Sequence, residues 1–449
     1  MKVAKFGGTS LANAEQIKKV CNIITSDPER RLIVVSAPGK RFKDDIKVTD
    51  LLIACAEQQL KTGSAQKELD AVVARYAEIA QDLSLGQDIV NQIKEDLENR
   101  LNGDKTDTGA FMDSLKAAGE DNSAKLIACY LKSIGYDAEY INPKDAGLIL
   151  TSDPGNAQVL PESYEKLAQL KNNDKLMIFP GFFGYSKDGK VVTFPRGGSD
   201  ITGSILACAV NADMYENFTD VDSVFVANPN IIDNPKPISH ITYREMRELS
   251  YAGFTVLHEE TLAPVFRAGI PVNIKNTNNP SAPGTIIATT RELSPGHVVG
   301  IACDGGFCSI NLSKYMMNRE IGFGRRLLQI LEEEGISYEH TPSGIDNISV
   351  ILKEKQIDSE KEERIIKRIR DELNVDEINI EHDLSMIIIV GEGMRNTIGI
   401  AARAATALAK ESVNLEMINQ GSSEISMMFG IKSEDSVKAV RALYKEFFE

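Results

Sequence analysis

After Gly300 the chain repeats itself. Gly322 and Gly399, Leu331 and Leu408, Ile336 and Val413, and Ile348-Ser349 and Ile425-Ser426 all stand 77 positions apart. A fixed offset of this kind marks two copies of one small domain. Each copy reads as a strand, a turn at a Gly, an amphipathic helix and further strands, the pattern of a βαββαβ sandwich. The helix is carried by Leu327, Leu328, Ile330 and Leu331 in the first copy and by Ala404, Ala405, Leu408 and Ala409 in the second.

The repeat leaves a long stretch upstream. At 449 residues the chain exceeds the size of one hydrophobic core, so two or three domains are expected. Val3–Phe6 and Leu32–Ser36 are apolar runs that end at Gly or Ser and lead into helical stretches, which predicts β-loop-α units and a parallel sheet covered by helices. From Thr49 to about Ile134 the period is helical, with Asp70–Leu101 a charged helical excursion. Strands are predicted again at Met177–Phe179, Val191–Phe194, Met214–Phe218, Ser223–Val226 and Pro271–Lys275, in a sheet of at least six strands. The fold class is therefore α/β: a three-layer αβα sandwich with a mostly parallel central sheet, followed by two ferredoxin-like domains.

Composition narrows the partners. Apolar residues at 42% and charged residues at 26% are globular values. A net charge of -15 disfavours nucleic acid or an anionic membrane as the main partner. The longest apolar runs, such as Met386–Val390, are of strand length, and the N-terminus opens on a strand pattern instead of a signal peptide, so a cytoplasmic location is expected. Cys21, Cys55, Cys129, Cys208, Cys303 and Cys308 include no C-x-x-C pair, which predicts buried reduced thiols and no metal held by the protein alone.

Two Gly-rich turns carry the chemistry. Lys5-Phe6-Gly7-Gly8-Thr9-Ser10 follows a buried strand and opens a helical turn, so backbone N–H groups can face a phosphate beside the Lys5 charge. Phe194-Pro195-Arg196-Gly197-Gly198-Ser199-Asp200 stands again at a strand end before a helix, Ile201–Val210. Singly, each reads as an ordinary turn. A parallel sheet gathers such turns outside the carboxyl ends of its strands, which would bring Lys5, Arg196 and Asp200 to one crevice. Asn217-Phe218-Thr219-Asp220-Val221-Asp222 and Ile274-Lys275-Asn276-Thr277 end further strands with residue types suited to a nucleotide.

Together Lys5–Ser10, Val35-Ser36-Ala37, Glu120, Arg196–Asp200, Thr219–Asp222 and Val256-Leu257-His258 resemble the aspartate kinases of the amino acid kinase superfamily, over essentially the whole chain. The tandem repeat fits the two ACT domains of that family, with the strand Val298–Cys303 expected to join the second copy. The resemblance implies an amino acid kinase catalytic domain over 1–295, a first ACT domain over 306–381, and a second made of 296–305 plus 382–449. It also implies transfer of the γ-phosphoryl group of Mg-ATP to the β-carboxylate of L-aspartate, with Mg2+ and ATP as the cofactors.

Residue by residue, the resemblance implies that Lys5 and Gly8 stabilise the transferring phosphoryl group, with Gly7, Thr9 and Ser10 beside them and Asp200 organising the centre. Glu120 would receive the substrate ammonium and Arg196 clamp a carboxylate, with Ser36, Thr49, Gly197, Gly198 and Ser199 completing the substrate site. Thr219, Asp220, Asp222, Phe225 and Asn230 would line the adenosine pocket opposite Lys275, Asn276 and Thr277. The sequence departs from the family at Gly253-Phe254-Thr255, where a nucleotide lysine is missing and Lys275 is expected to replace it. It departs again at Asn228-Pro229-Asn230 and at His258-Glu259.

The Pro342-Ser343-Gly344-Ile345-Asp346 segment resembles the monofunctional, lysine-sensitive branch. That likeness implies an amino-acid effector, lysine with or without threonine, at Met317, Glu320, Phe323, Gly324, Ser337, Glu339 and Asp346. It also implies a homodimer or dimer of dimers through the ACT sheets. The competing readings are another kinase of the superfamily and an inactive ACT-type amino-acid sensor.

Overall fold

The structure is a computed structural model that describes residues 1–195, 197–254, 259–294 and 296–449. The chain forms two compact units. The first is Met1–Val224, Pro237–Met246 and Thr255–Arg291; the second is Phe225–Lys236, Arg247–Phe254 and Glu292–Glu449.

In the first unit the strands are β1 (Lys2–Phe6), β2 (Arg30–Val35), β3 (Ala138–Tyr140), β4 (Ile149–Leu150), β5 (Leu176–Pro180), β6 (Phe183–Ser186), β7 (Val191–Thr193), β8 (Met214–Thr219), β9 (His240–Thr242), β10 (Val272–Asn276) and β11 (Thr285–Ala288). Eight of them form the central sheet in the order β3-β5-β2-β1-β8-β10-β11-β9. Its pairs are parallel except β10 with β11. Strands such as Leu32-Ile33-Val34-Val35 are buried on both faces, as a sheet covered by helices requires.

Two expectations about this sheet need correction. Val191–Thr193 lies outside it, in a separate three-stranded sheet ordered β4-β6-β7. The apolar run marks a buried strand and carries no information about which sheet it joins. Ser223–Val226 is not a strand; only an isolated bridge falls there, and the N–H of buried Val224 is taken by the Thr285 hydroxyl.

The helical stretch resolves into Val48–Thr62, Gln66–Asp82, Gln87–Leu101 and Thr108–Ser133. Asp107 caps the last of these, accepting the Ala110 N–H at 3.0 Å. Leu69, Val72, Tyr76 and Ile79 of the second helix and Ile89, Ile93 and Leu97 of the third join one core with Ala4, Phe6 and Ile33 of the sheet. The charged excursion is therefore a helical layer packed into the first unit.

The second unit holds one five-stranded sheet, β13-β12-β14-β16-β15, from β12 (Gly300–Ser313), β13 (Asn347–Lys353), β14 (Glu377–Val390), β15 (Met417–Asn419) and β16 (Ser426–Lys432). The two long strands β12 and β14 each serve both copies of the repeat. Phe307–Ser313 pairs with β13, whereas Gly300–Asp304 runs against Met386–Val390, which pairs onward with β16. The register shifts between Asp304 and Phe307, where one copy passes into the other. Helices Phe323–Glu333 and Ser359–Leu373 cover the first copy, and Ile400–Lys410 and Ser436–Phe448 belong to the second. The matched glycines Gly322 and Gly399 both precede a helix in the left-handed conformation, at φ 80° and 93°.

Candidate active site

Lys5 sits at the end of β1, opposite Asn217 of β8 in the parallel register. Neighbours in register share a face of the sheet, so both side chains point the same way. There they meet Asp200: Lys5 Nζ lies 2.5 Å from Asp200 Oδ1, and Asn217 Nδ2 donates to the same oxygen at 2.7 Å. Asp200 is in the first turn of the helix Gly198–Ala209, whose N-cap is Gly197 at φ 77° with no side-chain cap. Its carboxylate therefore does not serve as a helix cap; it anchors a buried lysine.

The Gly7-Gly8 turn follows at once. The Gly7 N–H bonds Phe218 O at 3.2 Å, and Ser10 N closes the turn on Gly7 O at 3.0 Å. A Cβ on Gly8 would stand 2.9 Å from Ala37 O, and one on Gly39 would stand 2.6 Å from the Gly8 carbonyl carbon. Gly39 N donates to Gly8 O at 2.8 Å. Two glycines thus let two backbone segments meet, and the second, Gly39, carries no signal in the sequence because no phosphate-loop spacing includes it.

Glu120 reaches the same edge from the middle of Thr108–Ser133. The helix presses so closely on the loop after β2 that a Cβ on Gly119 would lie 2.8 Å from that of Ala37. Glu120 is buried, and burial pushes its carboxyl up to about 8, with the Ala37 N–H pulling the other way. Its Oε2 has no hydrogen-bond partner.

Ser36 continues β2, its N–H bonded to Phe6 O at 3.2 Å, and half-buried Thr49 opens the helix after that loop. Ser199 is buried over Gly181, where a Cβ would come within 2.6 Å of its hydroxyl. Thr9 is exposed, whereas the Ser10 and Thr277 hydroxyls share a hydrogen bond of 2.7 Å. Thr277 N bonds Thr219 O at 2.9 Å, Thr219 Oγ1 donates to Asp220 at 3.2 Å, and Asn276 donates to Asp222 at 2.8 Å, so these residues cluster at the ends of β8 and β10.

Lys275 is not brought to Lys5. It pairs in register with Phe218 and Phe218 with Phe6, which puts it on the opposite face of the sheet, and its Nζ donates to Ala282 O at 2.9 Å. Phe225 and Asn230 belong to the second unit. Arg196, Thr255 and the Val256-Leu257-His258 motif lie outside the described residues.

The sequence pattern of the amino acid kinase family matches residues 1–276, and that of an ACT domain matches 387–447. Aspartokinase 3 of Bacillus subtilis is 62% identical over 448 residues, covering 100% of this chain and 99% of that one. The chain belongs to the aspartate kinases. The aspartate kinase of Clostridium acetobutylicum has a closely similar structure, with a TM-score of 0.89 and 42% identity over 100% of both chains. Aspartokinase III of E. coli, solved in complex with aspartate and ADP, follows at a TM-score of 0.79 and 25% identity, again over 100% of both. In a second structure that enzyme holds lysine and aspartate. As an aspartate kinase the chain phosphorylates aspartate at the expense of ATP, and its ACT repeat is the regulatory part of such enzymes.

In the repeat of this aspartate kinase, Met317 and Phe323 are buried in the core of the first copy. The Glu320 carboxylate is held by Lys314 at 2.6 Å and by Arg326. Glu339 accepts from the Tyr251 hydroxyl, Asp346 from the Met316 N–H at 2.8 Å, and Ser337 donates to Gln356 at 3.0 Å. A Cβ on Gly324 would meet open space. At the corresponding place in the second copy, Met394, Thr397, Gly399 and Gln420 line a cavity of about 510 Å³. No described helix is long and apolar enough to cross a membrane.

Proposed function

We propose that the Lys5, Gly7-Gly8 and Asp200 edge of the sheet holds the phosphates of ATP while Glu120 receives the α-ammonium of L-aspartate, so that the β-carboxylate attacks the γ-phosphorus. The observation that carries this reading is Glu120. A buried carboxyl without a counter-ion, one oxygen unpartnered, is a site waiting for a cation. A carboxylate substrate is already ionised at neutral pH, so no general base is needed and catalysis is positioning plus charge stabilisation. Lys5 offsets charge on the transferring group, the Gly8 amide, unlike that of Gly7 which is bonded to Phe218 O, faces the phosphate oxygens, and Asp200 with Asn217 fixes the Lys5 ammonium. Ser36, Thr49, Ser199 and Arg196 complete the substrate site, and Thr219, Asp220, Asp222, Asn276 and Thr277 the adenosine side.

Among the described residues no group of three or more His, Cys, Asp or Glu could hold a metal by itself. That suits magnesium, which binds through phosphates, water and one or two carboxylates, with Asp200 the carboxylate at hand. Bound with the nucleotide, it would neutralise phosphate charge. The assignment is tested by incubating the protein with Mg-ATP, hydroxylamine and candidate amino acids. Aspartyl hydroxamate is the expected product, and its absence would overturn the reading.

We further assign catalysis to 1–295 and regulation to ACT copies at 306–381 and at 296–305 with 382–449. Lysine is the proposed effector, at Met317, Glu320, Phe323, Gly324, Ser337, Glu339 and Asp346, in a cytoplasmic homodimer or dimer of dimers. E. coli aspartokinase III in complex with lysine supports the ligand. The exposed Ile321 and Ile398, 77 positions apart, support pairing between copies.

A further inference from the structure

Arg75 lies on the helix Gln66–Asp82, within the stripe of Leu69, Val72, Tyr76 and Ile79 that packs into the core. It is itself buried, at 4% exposure. A guanidinium in such a place is costly unless its donors are engaged, and the engagements here are specific. Arg75 Nη1 donates to Asp45 Oδ2 at 2.7 Å, and Nη2 donates to Gly39 O at 2.7 Å and to Ala12 O at 3.2 Å. Nε is buried and unpartnered.

The two carbonyls are not arbitrary. Gly39 is the residue whose N–H bonds Gly8 O and which has no room for a side chain against Gly8. Ala12 follows directly on the helical turn Gly8–Leu11. Asp45, on the loop between β2 and the next helix, is also gripped by Arg41 Nε at 2.9 Å, and Arg41 reaches Glu78 at 2.6 Å on the same helix as Arg75. One planar fork therefore ties both backbone segments that meet at Gly8 to the helical layer.

We propose that Arg75, braced by Asp45, is a positioning residue for phosphoryl transfer: it sets the backbone of the Gly7-Gly8 turn so that the Gly8 amide faces the nucleotide phosphates. The inference rests on the reading of that turn as the phosphate site. Lysine cannot replace Arg75, because a single ammonium lacks the fork that spans two carbonyls and a carboxylate.

The test measures magnesium-ADP affinity by calorimetry and steady-state kinetics on the full chain for Arg75→Lys, Asp45→Asn, Gly8→Ala and Glu78→Gln. Arg75→Lys is expected to weaken ADP about tenfold and raise the KM for ATP in step, because small displacements at a positioned site are costly. The KM for aspartate should change far less, a split that a general loss of packing would not produce. Asp45→Asn should act in the same direction more weakly, and Glu78→Gln, which loses the ion pair with Arg41 and leaves the bonds of Arg75 in place, should match the parent. If Arg75→Lys does not fold, Asp45→Asn decides alone. ADP binding lost in Gly8→Ala but kept in folded Arg75→Lys or Asp45→Asn would overturn the role of Arg75. Binding kept in Gly8→Ala as well would overturn the phosphate site and the inference with it.

Discussion

At the scale of single residues the chemistry turns on two buried charges in opposite situations. Lys5 has a carboxylate 2.5 Å away; Glu120 has backbone N–H groups but no counter-ion, and its carboxyl rises to about 8. Lys5→Met should lower kcat by about 100-fold or more, since the charge acts on the transferring group, and should also lower the melting temperature, because it leaves Asp200 without its cation. Wild-type turnover in that variant would rule out its role. Glu120 makes a prediction about pH. Below pH 8 the free enzyme holds Glu120 protonated, and an ammonium must displace that proton, so the KM for aspartate should fall as pH rises toward 8. Glu120→Gln should weaken aspartate binding and flatten this dependence. Stability runs the other way. A carboxyl whose folded pKa is raised binds more protons when folded, so its contribution is present at low pH and is lost as pH rises from the ordinary carboxylate range through 8. Denaturation at pH 8 should therefore find Glu120→Gln more stable than the parent, by an amount on the order of a few kcal/mol. A parent that is equally or more stable would show that Glu120 has a partner in solution.

At the scale of elements, the same glycine opens the first helix of each ACT copy in a left-handed turn. Nothing lies within 4 Å of a Cβ built on Gly399, and only the end of Arg325 reaches that distance at Gly322. Replacing either by Ala should cost about 1–2 kcal/mol, from backbone strain alone. Asn, which tolerates this conformation, should cost less, and an equal loss for Ala and Asn in urea denaturation would refute the strain argument. The repeat was legible because such a glycine, a helix stripe and the strand after it recur at one spacing. Long buried strands such as β1, β2, β5 and β8 were legible for a similar reason, since each places apolar residues on both of its faces. The three-residue strands β3 and β9 are too short to show a period, and β7 looks like any other buried strand although it joins a different sheet. Within the site, Lys5 and Asp200 stood in recognisable turns. Gly39 and Arg75 did not, because one contributes backbone proximity and the other hides among the core residues of a helix.

At the scale of the whole molecule, the question is what the regulatory repeat does for the catalytic unit. Ile321 and Ile398 are 99% and 100% exposed, and they stand at equivalent places in the two copies. Each directly precedes the left-handed glycine of its copy, so the two form a repeated apolar corner on the surface. In a symmetric dimer a corner of this kind meets its own counterpart or the matching corner of the other copy, and such an interface is self-complementary. Sedimentation equilibrium should find the parent as a dimer or larger. Ile321→Glu and Ile398→Glu, made together, should shift it toward monomer, because like charges would then be buried against each other. If lysine acts by favouring one arrangement of paired ACT copies, the same double variant should lose lysine inhibition, since a ligand shifts an equilibrium only through its differential affinity for the two states. A parent that sediments as a monomer, or a monomeric variant still inhibited by lysine as the parent is, would place regulation within a single chain.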